Sequence, residues 1–245
     1  MHRFYVPTQQ FFDNQAWLSG GQHRQIRNVL RLRVGDLIAL FDGSGREFVA
    51  RIQKIEKDRV LVEILESRIP KTEPSIRLTL GLSLLKGEKM DIALQKCTEI
   101  GVSEFLIVQA QRSVRRISED KQNTKLERWR AIVREAAEQS GRTRVPSVEG
   151  PFSFENAIIR VKNQGRRFIA WEQEKEVTLW AAVRNIEKVN EVAFFIGPEG
   201  SFTTEEIDIA KRNGATTVSL GPRILRAETA AIVGSALIIY NLVGT

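Results

Sequence analysis

Cysteine is nearly missing from this chain. Cys97 stands alone, so no disulfide can form within the chain and no thiolate cluster can hold a metal. Histidine is almost as scarce, with only His2 and His23. Together these residues cannot supply a familiar zinc set, and no metal is expected. No run approaches about 18 uninterrupted apolar residues, so no membrane-spanning helix and no membrane partner are expected. The opening MHRFYVPTQQ has no apolar segment of the secretory kind, and a cytoplasmic location is the plain expectation. The dinucleotide fingerprint G-x-G-x-x-G is absent, no Walker lysine follows Gly197 or Gly200, and no nucleophile elbow occurs. These absences argue against a Rossmann dehydrogenase, a P-loop NTPase and an α/β-hydrolase.

What is present is positive charge. The 245 residues carry 37 Lys and Arg against 30 Asp and Glu, a formal charge of +7. Such an excess favours a polyanionic partner, nucleic acid first. Residues 1 to 71 read as a small β-rich domain. Two apolar runs flank the turn Asp42-Gly43-Ser44-Gly45, and RVLVEIL adds a strand. One helix is predicted between residues 20 and 33, with Ile26, Val29 and Leu30 on one face and Arg24, Arg27 and Arg31 on another. IPKTEP, residues 69 to 74, reads as a linker.

Residues 72 to 245 change texture. In SIRLTLGLSLL, alternation predicts a strand with Ile76, Leu78, Leu80, Leu82 and Leu84 on one face. A helix with Met90, Leu94 and Cys97 inward follows, then the strand EFLIVQA. A capping box at Thr124 to Glu127 opens a long helix whose inner face carries Leu126, Trp129, Val133, Ala136 and Ser140. RFIAW, EVAFFIG and TTVSLG are further strands, a helix capped by Thr203 runs to Gly214, and AETAAIVGSALIIYNL closes the chain. That last helix is apolar all round, which predicts burial in a core or a subunit interface. Trp129 and Trp180 are read as core residues. Strands alternating with helices predict an α/β domain on a mostly parallel sheet.

Two strand ends carry the chemistry. FFIGPEGSFT, residues 194 to 203, stops a strand at a glycine loop, and LGPRILRAET, residues 220 to 229, repeats the device one helix later. Glycine lets a ligand approach the main chain, proline stiffens the loop, and strand ends of open α/β sheets are where ligands bind. Arg226, Glu228 and Thr229 before an apolar helix are costly unless solvated, paired or used. Pairing of Arg226 with Glu228, or capping of the helix by them, is the plain structural alternative.

FFIGPEGSFTTEEI followed by VSLGPRILRAETAAI resembles the RsmE family of ribosomal RNA methyltransferases, in the SPOUT superfamily. HRQIRNVLRLRVGDLIALFDGSG is similar to that family's N-terminal RNA-binding, PUA-like domain, and KGEKMDIALQKCTEIGVSEFLIVQAQRSV to the start of its catalytic domain. One position departs. The family loop usually reads Gly-Pro-Glu-Gly-Gly, and here Ser201 stands last. A serine there is strained if the position requires positive φ.

The resemblance implies a C-terminal trefoil knot, S-adenosylmethionine as methyl donor and a homodimer. It implies N3 of a uridine in 16S ribosomal RNA, within the small subunit, as acceptor. Carried over, the cofactor loops comprise Ile196, Gly197, Pro198, Glu199 and Gly200, and Leu220, Gly221, Ile224, Leu225 and Arg226, with Trp171 and Glu172 at a third strand end. Uracil N3 is a poor nucleophile until its proton leaves, so the site must stabilise an anion. Arg226 suits that role, with Glu228 orienting it or Arg223. Glu199 and Glu172 are the carboxylates considered for the proton. RNA phosphates are assigned to Arg3, Arg24, Arg27, Arg31, Arg112, Arg115 and Arg116, with Arg142 and Arg144 as further basic candidates. Two alternatives stand beside this reading. One is a sibling enzyme acting on another base or a ribose 2′-hydroxyl. The other is a non-catalytic RNA-binding protein.

Overall fold

The computed structural model describes residues 1–113, 117–184, 186 and 189–243. Arg115 and Arg116 therefore lie outside the described residues. The chain forms two compact units, one of residues 1–73 with 137–145 and the other of residues 74–136 with 146–245.

In the first unit, six strands form a sheet in the order β1-β4-β5-β6-β3-β2. They are β1 (Arg3–Tyr5), β2 (Phe11–Phe12), β3 (Gln15–Ser19), β4 (Leu37–Phe41), β5 (Glu47–Ile55) and β6 (Arg59–Arg68). The glycine turn at 43 to 45 joins β4 to antiparallel β5, as its sequence predicts. Phe4, Leu18, Ile26, Ile38, Leu40, Ile52, Val60 and Val62 make the core. The predicted helix of residues 20 to 33 is shorter and looser. A single turn α1 (Gly21–Arg24) runs into a π-helical turn, Gln25–Val29. Arg31 lies beyond it at φ +53°. The three arginines thus do not share a helical face, and Val29, expected inward, is 72% exposed. A π turn adds a residue to each hydrogen-bonded ring, which rotates every later side chain away from its 3.6-residue position.

IPKTEP is not a free linker. Glu73 accepts hydrogen bonds from the Arg142 guanidinium at 2.8 Å and from the Thr143 and Arg144 amides at 2.8 and 3.0 Å. Arg142 is 3% exposed, so it is a packing residue rather than a surface cation for RNA. Arg3 is engaged in the same way. It pairs with buried Glu47 and donates to the Arg142 carbonyl at 2.9 Å. Burial and then the like charge of Arg68 pull its guanidinium below the usual value.

The second unit is a six-stranded, wholly parallel sheet in the order β12-β10-β11-β7-β8-β9. Its strands are β7 (Arg77–Ser83), β8 (Glu104–Gln109), β9 (Ser147–Ser153), β10 (Arg166–Ala170), β11 (Glu191–Ile196) and β12 (Thr216–Val218). Its helices are α2 (Glu88–Ile100), α3 (Glu119–Ser140), whose last turn belongs to the first unit, α4 (Phe154–Arg160), α5 (Leu179–Arg184), α6 (Thr204–Arg212) and α7 (Ala227–Val243). β9, α4 and α5 carry no signal read from the sequence, and α3 begins before Thr124, so the capping box expected there lies inside the helix. The alternation read in β7 does not separate core from solvent, since Leu78 to Ser83 are all buried. A central parallel strand has helices on both faces.

Phe194 and Phe195 show how tightly those layers close. A Cβ on Gly81 of neighbouring β7 would lie 2.3 Å from the Phe195 ring, and one on Gly234 of α7 would lie 2.2 Å from Phe194. On one face Phe195 packs with Phe154, Ile158, Phe202 and Ile207 of α4, α6 and their flanks. On the other, α7 lies against β7, β11, α2 and α5. Cys97 sits in that layer, its Sγ 3.9 Å from the Ser235 hydroxyl, and burial pushes its thiol up to about 12. α7 is not buried all round. Val233 and Tyr240 are exposed, and so is Trp180 of α5, which was expected in the core.

Two opposing effects act on Glu73. Burial pushes its carboxyl up, but Arg142 and the two amides outweigh it and hold the group below its ordinary 4.5. Its stabilising contribution is complete above the unfolded value and is lost as pH falls through the lowered folded value. Glu73→Ala is expected to destabilise the first unit by about 3 kcal/mol at neutral pH, the low end for breaking a buried pair. Urea unfolding at pH 7 and below pH 4 checks this, because the mutant's deficit shrinks in acid.

Candidate active site

β12, β10 and β11 are neighbours and point the same way, so the loops leaving their C-terminal ends meet. They enclose a cavity of about 560 Å³, within the range of small-molecule sites. Its wall takes Trp171 and Glu172 after β10, residues 197–201 after β11, residues 219–226 after β12, and Lys89 of α2. Every residue proposed from the sequence as cofactor-binding lines this cavity, and so does Arg223. Glu228 does not, although Ala227 and Ala230 on either side do.

The loops after β10 and β11 are fastened by carboxylates. Glu206 sits at the start of α6. It accepts from the Thr203 amide at 2.9 Å while the Thr203 hydroxyl accepts from its own amide at 3.3 Å, and it reaches the Gln111 amide beyond β8 at 2.9 Å. This is the capping box predicted at Thr203. Glu174 accepts from the Thr217 hydroxyl at 2.6 Å and from the Glu176 and Val177 amides, joining the turn after β10 to β12. Those three donors hold its carboxyl below the ordinary range. Glu199 accepts from the Lys86 amide and the Lys89 ammonium, both at 3.2 Å. Partial burial pushes the Glu199 carboxyl up, but its own amide, the Lys86 amide and Lys89 outweigh that and hold it low. A carboxylate so held is poorly suited to take a proton at neutral pH. Glu199 is an anchor for the loop.

Glycine serves different ends in the two loops. At Gly221, φ is +110° and a Cβ would meet nothing, so the conformation demands glycine. At Gly197 a Cβ would meet the Phe202 ring and amide at 3.2 Å. The core side alone therefore already crowds a side chain at Gly197, apart from any approach of a ligand to its main chain. Arg112, assigned to RNA from the sequence, donates to the Gly200 carbonyl at 3.2 Å and supports the same loop.

The last loop is the most open. Ile224 is 90% exposed, and Arg223 and Arg226 are exposed. Among the described residues, the amides of Arg223, Ile224 and Leu225 have no acceptor within the protein. No hydrogen bond or ion pair joins Arg226 to Glu228 among those residues, so the pairing considered from the sequence is not formed. Glu228 instead keeps one buried carboxylate oxygen without a partner, an expensive arrangement unless a donor arrives from outside.

Comparison with known proteins settles the family. The RNA methyltransferase domain family matches residues 71–239 and the RNA methyltransferase PUA domain family matches residues 26–65. Ribosomal RNA small subunit methyltransferase E of Bacillus subtilis is 33% identical, covering 98% of this chain and 97% of its own length. The Synechocystis protein of the same name is 31% identical over 97% of this chain and 77% of its own.

The chain belongs to the ribosomal RNA small subunit methyltransferase E family.

A family member from Neisseria gonorrhoeae, solved bound to S-adenosyl methionine, superimposes with a TM-score of 0.86 at 33% identity, covering 96% of this chain and 95% of that one. The mixed α/β architecture with a PUA domain at the N-terminal end is that of the family.

Gly197→Val is expected to disturb the core as well as the cavity, because the new methyls meet Phe202. A stability loss of about 1–3 kcal/mol, typical of overpacking, should appear in urea unfolding of the ligand-free protein. An unchanged midpoint would mean that Phe202 yields freely.

Proposed function

We propose that this chain methylates N3 of a uridine in 16S ribosomal RNA of the small ribosomal subunit, using S-adenosylmethionine held in the cavity above β12, β10 and β11. The observation that carries this reading is the cavity itself, walled by main chain from three adjacent parallel strand ends in a member of this family. The residues fit such a ligand. Ile196, Leu220 and Leu225 offer apolar wall, Trp171 offers a ring, and the unpaired amides of 223–225 offer donors. Bound S-adenosylmethionine supplies a methyl group made electrophilic by its sulfonium.

The rest falls to the protein. Arg226, at the end of the loop and the start of α7, presents a guanidinium fork that stays charged and can stabilise the uracil anion. Arg223 lies on the same loop as a second cation. Glu228 does not line the cavity and, among the described residues, makes no bond to Arg226, which argues against its orienting that guanidinium. Holding donor and acceptor in line supplies much of the acceleration.

A trefoil knot in the C-terminal half belongs to this proposal. β12 lies at the sheet edge, yet α7, the next element, packs on β7 and β11 in the middle. The chain after β12 must therefore turn back past the end of β10. Residues 1–71 are proposed as the RNA-binding domain and 72–245 as the methyltransferase domain. Arg24, Arg27 and Arg31 are exposed and suit phosphates, as does exposed Arg144. A homodimer is proposed on the stripe Thr229, Val233, Ala236 and Tyr240 of α7, spaced for one helical face, and a cytoplasmic location goes with the ribosomal substrate.

Calorimetry should find S-adenosylmethionine bound with or without chelator, and NADH or ATP binding in its place would overturn the cofactor assignment. Arg226→Ala should keep RNA affinity but lose turnover on the order of 100-fold, the cost of one preorganised donor. Normal turnover would make Arg226 structural.

Replacing Arg24, Arg27 and Arg31 with Ala should leave cofactor affinity intact and weaken RNA binding. The log-log salt slope should flatten by about 0.7–0.9 for each phosphate that is no longer neutralised. Filter binding across a salt series measures it, and an unchanged slope would make these arginines ordinary solvated cations.

A further inference from the structure

Ser201 occupies a backbone conformation that glycine favours, with φ at +61°. A side chain there costs free energy that glycine would not, so something must hold it. The Ser201 hydroxyl donates to the Glu172 carboxylate. Glu172 stands just past β10, and Ser201 closes the loop just past neighbouring β11. Both residues line the cavity. The hydrogen bond therefore ties two of the three loops together across the rim, and it runs to a charged acceptor, the stronger kind. On the opposite side of the same loop, Glu199 is tied to Lys86 and Lys89. Without the Ser201 bond the loop would be anchored through Glu199 and Arg112 but free toward β10.

We propose that Ser201 and Glu172 form a clasp that positions the 197–201 loop for the cofactor, making Ser201 a positioning residue of this chain. The inference rests on the reading that the cavity holds S-adenosylmethionine. A serine thus does with a side chain what a glycine leaves to the main chain alone. The clasp also assigns Glu172 an occupation. Its carboxylate is engaged by the neighbouring loop, which makes it an unsuitable acceptor for the uracil proton.

Ser201→Ala, Glu172→Ala, the double variant and Ser201→Gly test this. In cofactor-free protein, hydrogen exchange of the amides of 197 and 199–203 should quicken in every variant, because the clasp exists before ligand binds. The Kd for S-adenosylmethionine by calorimetry should rise about tenfold in each single variant, the low end of what one charge-assisted hydrogen bond is worth. The double variant should rise no further, since both changes remove the same bond. A merely structural role would lower the unfolding midpoint without this coupling in Kd.

Unchanged exchange in Ser201→Ala overturns the clasp. Quickened exchange with unchanged Kd overturns its positioning role. Loss of affinity in Glu172→Ala but not in Ser201→Ala would make Glu172 a direct ligand and the clasp idle. Tighter binding by Ser201→Gly would show the serine to be only tolerated strain, which also overturns the proposal. Should the wild-type protein take up no S-adenosylmethionine, the cofactor reading fails, and exchange in the loop still decides whether the clasp exists.

Discussion

Parallel strands cannot be joined by a tight turn, and the catalytic half of this protein is organised by that constraint. Each strand must leave the sheet through a loop and come back through a helix. All six strands run one way, so every departing loop opens on the same edge. Where β12, β10 and β11 lie side by side, three such loops become neighbours and a cavity results. A loop at a binding site needs to be held, and here acidic side chains do most of the holding. Glu174, Glu199 and Glu206 each collect amide or hydroxyl donors from a second segment. They complement the surface arginines: anions that organise the protein beside cations that suit a polyanion.

The arginines divide by environment. Arg3 and Arg142 look from the sequence like members of one basic population. In the fold they are paired with Glu47 and Glu73 inside the first unit. Arg24, Arg27, Arg31, Arg223 and Arg226 stay exposed, where a charged fork can meet phosphate or base. Composition sums the two kinds and so cannot tell them apart. A long-range partner decides which is which, and nothing local records that Glu73 waits for Arg142 some seventy residues away.

The same distinction between local and distant causes explains what could be read in the chain. The glycine turn between β4 and β5, the strands β8, β10, β11 and β12, and the capping box of α6 all carry their signals within a few residues. The cavity wall was legible because Gly-Pro pairs mark strand ends. The π turn at Gln25–Val29 was not, because a 3.6-residue period does not hold where the hydrogen-bonded ring is wider. β7 alternates in leucine yet is buried on both faces, since Thr79 and Ser83 are covered by neighbours the strand itself cannot announce. The crowding at Gly197 comes from Phe202, five residues on and across a turn. Ser201 could be flagged as a departure from the family loop, but its bond to Glu172 appears only once β10 and β11 are adjacent.

The central claim is that this cavity delivers a methyl group to uracil N3 of small-subunit ribosomal RNA. Mass mapping of that RNA from a deletion strain tests it most directly, with the gene restored either intact or as Arg226→Ala. One uridine is expected to lose a ring methyl on deletion, to regain it with the intact gene and to stay unmethylated with Arg226→Ala. Small-subunit RNA that is identical in all three strains, or a lost methyl that maps to a ribose or to another base, would contradict it.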